Sequence, residues 1–453
     1  MKYTNKKLIC SLLLCFGLSA SAQEGVLTLQ QCREMALENN KDIAVAAKKT
    51  QSAHYTMKSY WGNFFPNFNV SGMGIYSNVD GTLGIPIGDF PISIPILPGL
   101  NLEHTFHLPD LNLDYNVKTF FTAGVSLEQP IYMGGKIMSA YKMSKLGKEM
   151  AQLNEHLTAS EVILQTDNAY VLLVKAKEML KVAGSYHAVL EELMRNVESA
   201  CKHGLKTEND RLKVQVKMNE SELGMRKAEN AIRLATMNLC HYIGMPLTSQ
   251  IEVTDDLPAI SDEVKYQVDN ITARPEYNLL SKKVDIANQQ VKLNRSAVLP
   301  QIGLRASYDY ANGLELGNQK LFDNAGFSVM LNVKIPIYHF GERYHKIHAA
   351  KTNLELARLE QADLNEKMLL ELNQAANILD EAKLEAEISD RSFEQAEENM
   401  RVSKKQYEAG MESLSEYLEA QALWQQSYAT KVDANFQLYL SYIKYLKAAG
   451  QLK

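Results

Sequence analysis

Few residues of this 453-residue chain have the types and spacing that covalent chemistry needs. Gly134-Gly135-Lys136 has the glycines and lysine of a phosphate cradle but lacks the spacing that precedes them in a phosphate-binding loop. His345 and His348 stand three apart with Glu342 nearby, which would put two imidazoles on one helical face for a metal ion. No third ligand follows from the spacing, and the group sits at a helix start. No HExxH, GxSxG or CxxC pattern occurs. Cys10 and Cys15 lie in an N-terminal apolar run, which leaves Cys32, Cys201 and Cys240, an odd and sparse set that makes no disulfide framework. The expectation is no catalytic residue, no metal and no cofactor, hence not an enzyme. A net charge of −5 and a pI near 6.1 supply no polybasic surface for nucleic acid.

The N-terminus reads as an address. Lys2, Lys6 and Lys7 precede the apolar run Leu8 to Leu18, and Ala20-Ser21-Ala22 is a small-residue cleavage site. Residues 1–22 are expected to be a secretory signal peptide. No later stretch reaches 18 consecutive apolar residues, so a membrane span in the mature chain would have to be a closed β-barrel.

The elements carry more information than any single residue. From Glu342 to Ala409 there is neither glycine nor proline, a span that would make a helix roughly 100 Å long. Gly410 then has the signature of a helix stop, and Met411 to Ala449 reads as a second helix. The same pattern precedes it: Ile137 to His203, Gly204, then Lys206 to Ile243. Shorter helices are expected at Leu29 to Tyr60 and at Arg274 to Ala297. Four strands alternate with period two, around Phe68–Tyr76, Phe121–Leu127, Ile302–Tyr310 and Phe327–Ile335. Pro130-Ile131-Tyr132 and Pro336-Ile337-Tyr338 are read as strand ends. In the later long helix, Leu364, Met368, Leu372, Ala375, Leu379, Ala382 and Ala386 step by four and three, a coiled-coil seam.

The order is duplicated. Pro336, Tyr338, Gly341, Gly410, Gln421 and Gly450 each stand 206 positions after Pro130, Tyr132, Gly135, Gly204, Gln215 and Gly244. Residues 23–247 form the first repeat, 248–272 a linker, and 273–453 the second repeat. Pro300 follows Pro66 by 234 positions, so the first repeat carries an extra loop, roughly Asn78 to Lys118 and proline-rich. It is expected to narrow an extracellular mouth. Strands of about ten residues fit outer-membrane barrels. Tyr60, Trp61, Phe64, Phe65, Tyr132, Tyr338 and Phe340 crowd the strand ends nearest the helices, as an interfacial girdle would. Four strands cannot close a barrel, whereas three copies would supply about twelve.

Over its whole mature length the chain resembles the TolC family of outer-membrane efflux and secretion channels. The resemblance rests on the duplication, the two Pro-Ile-Tyr motifs and two turn motifs, Gly204 to Asp210 and Tyr407 to Leu414. It implies a mainly α protein with a small β part. Duplicated long helical hairpins would form a trimeric α-barrel, continuous with an outer-membrane β-barrel to which each protomer gives four strands. The implied function is the passive exit duct of a tripartite efflux or type I secretion system. The implied partners are two further copies, a periplasmic adaptor (membrane fusion) protein, an inner-membrane pump of RND or ABC type, and outer-membrane lipid. The place is the cell outer membrane, extending into the periplasm. Carried over residue by residue, Glu416 and Glu419 would form acidic rings at the periplasmic aperture. Asp210 and Tyr407 would form the latch, and Gly204, Leu205, Gly410 and Met411 would meet the adaptor. Glu412 stands where the family has an arginine, so that salt bridge must be absent or differently built. The alternative is a soluble periplasmic coiled-coil adaptor or spacer without a pore.

Overall fold

The computed structural model describes residues 26–97, 100–254, 271–313, 315–316, 319–320 and 323–452. The expected signal peptide and residues 255–270 of the expected linker lie outside them. Helices α1 (Leu29–Asn39) and α2 (Lys41–Gly62) lead to strands β1 (Asn67–Ile85), β2 (Asp89–Leu97), β3 (Leu100–His107) and β4 (Leu111–Met133). Helices α3 (Lys136–Lys202) and α4 (Glu208–Ile243) follow. The second pass has α5 (Pro275–Arg295), β5 (Gln301–Asn312), β6 (Glu315–Leu316), β7 (Gln319–Lys320), β8 (Asp323–Lys334), α6 (Glu342–Glu408) and α7 (Leu414–Ala448). Among the described residues no helix is long and apolar enough to cross a membrane. The chain forms two compact units that cut across the repeats: one from 26–48, 154–277 and 365–452, the other from Lys49–Leu153 and Asn278–Leu364.

The second unit is built on an antiparallel sheet in the order β1-β4-β5-β8. Alternation along each strand becomes rows across it. Val70, Val125, Tyr308 and Phe327 form one row; Asn69, Ser126, Ser307 and Ser328, on the other face, form the next. The faces are inverted relative to a soluble protein. Val70 is 83 % exposed and Phe327 71 %, whereas Ser126 and Ser307 are 7 % and 6 % exposed. Hydroxyls satisfy one another on the enclosed face: Ser307 donates to Asp309 at 2.5 Å and lies 2.9 Å from Ser328 Oγ. Arg305 and Glu128 pair at 3.6 Å on that same face. Aromatic rings gather at the helix-proximal end. Trp61 meets Phe65 edge-on at 4.5 Å, Phe64 meets Tyr141 at 5.8 Å, and Tyr338 meets Phe340 at 5.2 Å. Phe340 has φ 41° and is 92 % exposed, a costly backbone for a bulky side chain held out into its surroundings.

Two expectations for this unit change. The extra segment is not an irregular loop. β1 and β4 continue as a paired ribbon, and β2 and β3 form a separate hairpin. Pro91 and Pro95 fit there because a two-stranded hairpin leaves an outer edge where a missing N–H breaks no ladder. Pro130 does not close its strand either: β4 runs through it to Met133, and a bulge between Pro130 and Tyr132 absorbs the irregularity.

In the first unit α3, α4, α7 and α1 enclose one apolar core, with Tyr170, Leu173, Leu239, Ile243, Tyr439 and Ile443 nearly inaccessible. α7 is tied on both sides. Lys447 pairs with Glu161 and Asp433 with Lys175, both on α3, and Lys431 pairs with Asp390 of α6 at 3.2 Å. Inside, Arg33 grips the fully buried Asp167 through two bonds of 2.7 and 2.6 Å. Burial pushes the Asp167 carboxyl above its ordinary range despite that partner. Burial also pushes the Cys32 thiol up to about 12, which makes it a core residue and a poor nucleophile. The expected helix from Leu29 to Tyr60 breaks at Asn40. Its side chain donates to the Tyr242 carbonyl (2.9 Å) and accepts from the Asp42 N–H (2.8 Å), so the backbone turns out of the helix to start α2. The α6 seam also shifts. Met368, Leu372, Leu379, Ala382 and Ala386 are buried, but Ala376 replaces Ala375 and Leu364 is exposed. The stripe steps by four twice before its first step of three, nearer the 3.6 period than a strict heptad.

Candidate functional site at the two helical turns

The turns joining α3 to α4 and α6 to α7 have the same construction. Each long helix ends on a glycine in the left-handed region, Gly204 at φ 72° and Gly410 at φ 70°. Open space surrounds both, so the backbone angle and not crowding demands glycine. The Leu205 N–H donates to the Ala200 carbonyl (2.9 Å) and the Gly204 N–H to Cys201 (3.0 Å). In the second turn Met411 donates to Gln406 (2.8 Å) and Gly410 to Tyr407 (3.1 Å). Both are Schellman motifs. The next helix then begins with a capping box. Thr207 Oγ1 accepts from the Asp210 N–H at 3.3 Å, and Asp210 Oδ2 accepts from the Thr207 N–H at 3.1 Å. Ser413 and Glu416 repeat this at 3.3 and 2.8 Å.

One site expectation is thereby revised. Asp210 does not reach out to Tyr407, because its carboxylate accepts from the backbone and hydroxyl of Thr207, which holds its pKa below the ordinary range. Glu416 is likewise engaged with Ser413, through side chain and then backbone, and its pKa is also lowered. Glu419 is exposed in a groove of about 450 Å³ between α4 and α7, with Lys213, Lys217 and Leu418 beside it. Lys213 crosses to Ser415 at 3.1 Å.

Tyr407 is held by groups the spacing did not single out. Its ring stacks on Tyr417 at 5.1 Å and 12°, and Lys206 Nζ lies 4.9 Å from its centroid. Burial raises the Tyr407 phenol, and the nearby Asp210 charge adds to the effect. Lys206 therefore links the first turn to the second. Its counterpart 206 positions on is Glu412, of opposite charge. Glu412 Oε1 accepts from Ser403 at 2.6 Å, while its Oε2 is buried without a hydrogen-bond partner. The only readable hint of this arrangement was the lysine–glutamate mismatch between aligned turns. Beneath the turns lie Leu190, Val197, Val214, Leu414, Tyr417 and Leu418, a second apolar core. Leu205 and Met411 are outside it, 78 % and 76 % exposed.

The other candidate cluster disperses. Glu342 pairs with Lys346 and, at 2.6 Å, with His339; His348 packs tilted against Tyr344, with ring centroids 4.2 Å apart. Among the described residues no three His, Cys, Asp or Glu side chains are grouped to hold a metal ion.

Residues 32–245 and 275–451 match the sequence pattern of outer membrane efflux proteins. The chain belongs to the outer membrane efflux protein family. It is similar to the alkaline protease secretion protein AprF of Pseudomonas aeruginosa, 22 % identical over 280 residues, which are 59 % of this chain and 56 % of AprF. It therefore spans little over half the length of that relative. To protein CyaE of Bordetella pertussis it is 25 % identical over 328 residues, 69 % of this chain and 68 % of CyaE. Its fold is that of the CmeC outer membrane channel of Campylobacter jejuni, with a TM-score of 0.76 at 19 % identity, over 94 % of this chain and 86 % of CmeC. As an efflux family member it shares family and fold with outer-membrane transport channels.

Proposed function

We propose that this chain is the channel subunit of a tripartite efflux or type I secretion system and provides its passive exit duct across the outer membrane. Three copies pool their sheets into one twelve-stranded barrel, by family analogy and the strand arithmetic above. The helical part lies in the periplasm, where an adaptor joins the duct to an inner-membrane pump of RND or ABC type that supplies the energy. The observation that carries this is the inverted sheet: Phe68, Val70, Tyr308, Phe327 and Leu331 face out, while Ser126 and Ser307 are enclosed on the other face. In water that arrangement is costly, and in lipid around a wet pore it is favourable. β1 and β8 each have an edge without a strand partner among the described residues, which suits closure by further copies.

At the turns, Glu416 and Glu419 supply the acidic lining of the aperture. Leu205 and Met411, on their glycine turns, supply apolar contacts for the adaptor. Lys206 over Tyr407, in place of the Asp210–Tyr407 link, holds the two turns of a protomer together.

Heat-modifiable migration of a detergent-extracted trimer, with discrete conductance steps in planar bilayers, is the expected result. A monomer soluble without detergent would instead support the coiled-coil spacer.

A further inference from the structure

β5 and β8 stop together, where Asn312 pairs with Asp323 and also faces Phe121 of β4. β1 and β4 do not stop there. Beyond the Gly74–Phe121 pair they stay paired as a two-stranded ribbon out to Ile85–Leu111, joined among the described strands by β6 at Tyr115 and Asn116. β1 has 19 residues, against 12 in β5 and in β8. An outer-membrane strand needs about 9–11.

A bulge marks the start of the extra length. Tyr76 pairs with Thr119 and the next pair is Val79 with Val117, so Ser77 and Asn78 oppose a single residue of β4. With a side-chain period of two, one extra residue reverses the parity of β1 and leaves β4 unchanged. Before the bulge the outward residues of β1 are even-numbered: Phe68, Val70, Tyr76. After it they are odd-numbered: Val79, Gly81, Leu83, Ile85, opposite positions that keep the outward side of β4. The sequence changes parity at the same point, with Asp80, Thr82 and Gly84 now the even set. Without the bulge, Leu83 and Ile85 would join the enclosed face and Asp80 would point out.

The outward face thus stays apolar and uncharged along all of β1. On it Tyr115 lies directly over Gly81, and Val79, Leu83, Ile85 and Leu111 are at least 42 % exposed. Asp80 and Asp114 are on the other face, where Thr82 donates to Asp114 at 2.9 Å.

We propose that the ribbon bends at this bulge and lies on the outer leaflet, its apolar face against lipid, as an interfacial anchor of the barrel. The inference rests on the reading of the sheet as membrane-spanning. Lipid is the occupant because the ribbon face is continuous with the face that reading gives to lipid, and the carboxylates of Asp80 and Asp114 are turned away. Kept straight, the ribbon would carry its apolar face roughly 20 Å into water. A bulge is where a strand bends. An outward-leaning ribbon leaves any narrowing of the mouth to the β2–β3 hairpin.

The test uses the full chain folded in phosphatidylcholine vesicles, with Trp61→Phe and Trp424→Phe to remove the only two tryptophans. Single tryptophans are placed by Leu83→Trp, Leu111→Trp, Thr82→Trp and, in the sheet, Val70→Trp, with heat-modifiable migration confirming folding. Lipid brominated near the headgroup end of its acyl chains should quench the Leu83, Leu111 and Val70 probes about twofold, as contact with acyl chains requires, and leave the Thr82 probe bright. Bright Leu83 and Leu111 probes beside a quenched Val70 probe overturn the inference alone. Acrylamide would then tell water from a covering protein copy. A bright Val70 probe overturns the membrane reading of the sheet and the ribbon inference with it.

Discussion

Thr207 and Ser413 each accept the amide at N3 of the following helix, and each receives a carboxylate in return. Thr207→Ala and Ser413→Ala should each cost about 0.5–2 kcal/mol of local helix stability, read as faster amide exchange in the first turn of α4 or α7. The Asp210 and Glu416 carboxyls have depressed pKa values in the fold. Their stabilisation is complete above the pKa of the unfolded chain and is lost as pH falls through the folded value. Exchange protection in these two turns should therefore hold from neutral pH down to about 5 and decline below about 4. Tyr407 offers a sharper contrast. If ring contacts with Lys206 and Tyr417 hold it, Tyr407→Phe keeps the closed-state conductance of wild type and Tyr407→Ala raises it. A latch through the phenol oxygen would make both variants leaky. The capping boxes were legible beforehand, since Thr207 and Ser413 precede acids by three positions. Assigning Asp210 to Tyr407 overlooked that an N3 carboxylate has a partner within its own turn.

Strand and helix periodicity exposed most of the elements, because 3.6 and 2 differ enough to separate them without tertiary information. α6 ends one residue before the expected Ala409, and α3 spans Lys136–Lys202 where Ile137 to His203 was expected. Breaks made by distant partners were not legible. Asn40 interrupts a helical pattern only because the Tyr242 carbonyl, 202 positions away, is there to receive its amide. The ribbon was hidden for another reason: its bulge reverses the alternation midway, and a single-period template loses the pattern at that point. The inverted sheet gives a direct test. Val70→Arg, on the outward face, should destabilise insertion by about 2–4 kcal/mol in denaturant-dependent folding into vesicles, while Ser71→Arg on the enclosed face should change it by less than about 1 kcal/mol.

For the molecule as a whole, an unclosed sheet with an outward apolar face calls for more copies of itself. Mass measurement of the detergent-extracted particle should give three subunits, and single subunits only under conditions that also unfold the sheet. The duplication behind this architecture was readable from a constant offset. The charge reversal between aligned turns, Lys206 against Glu412, was readable too, but its role lies in the packing of the two turns. α3 and α6 have 67 residues each, and their turns meet through Lys206 and Tyr407. Seven residues added to one of them would slide its turn about 10 Å past the other and part that contact. The two helices therefore act as matched gauges: heritable changes of length should come in equal pairs, one in each half of the gene, while the connecting strands stay free to vary singly.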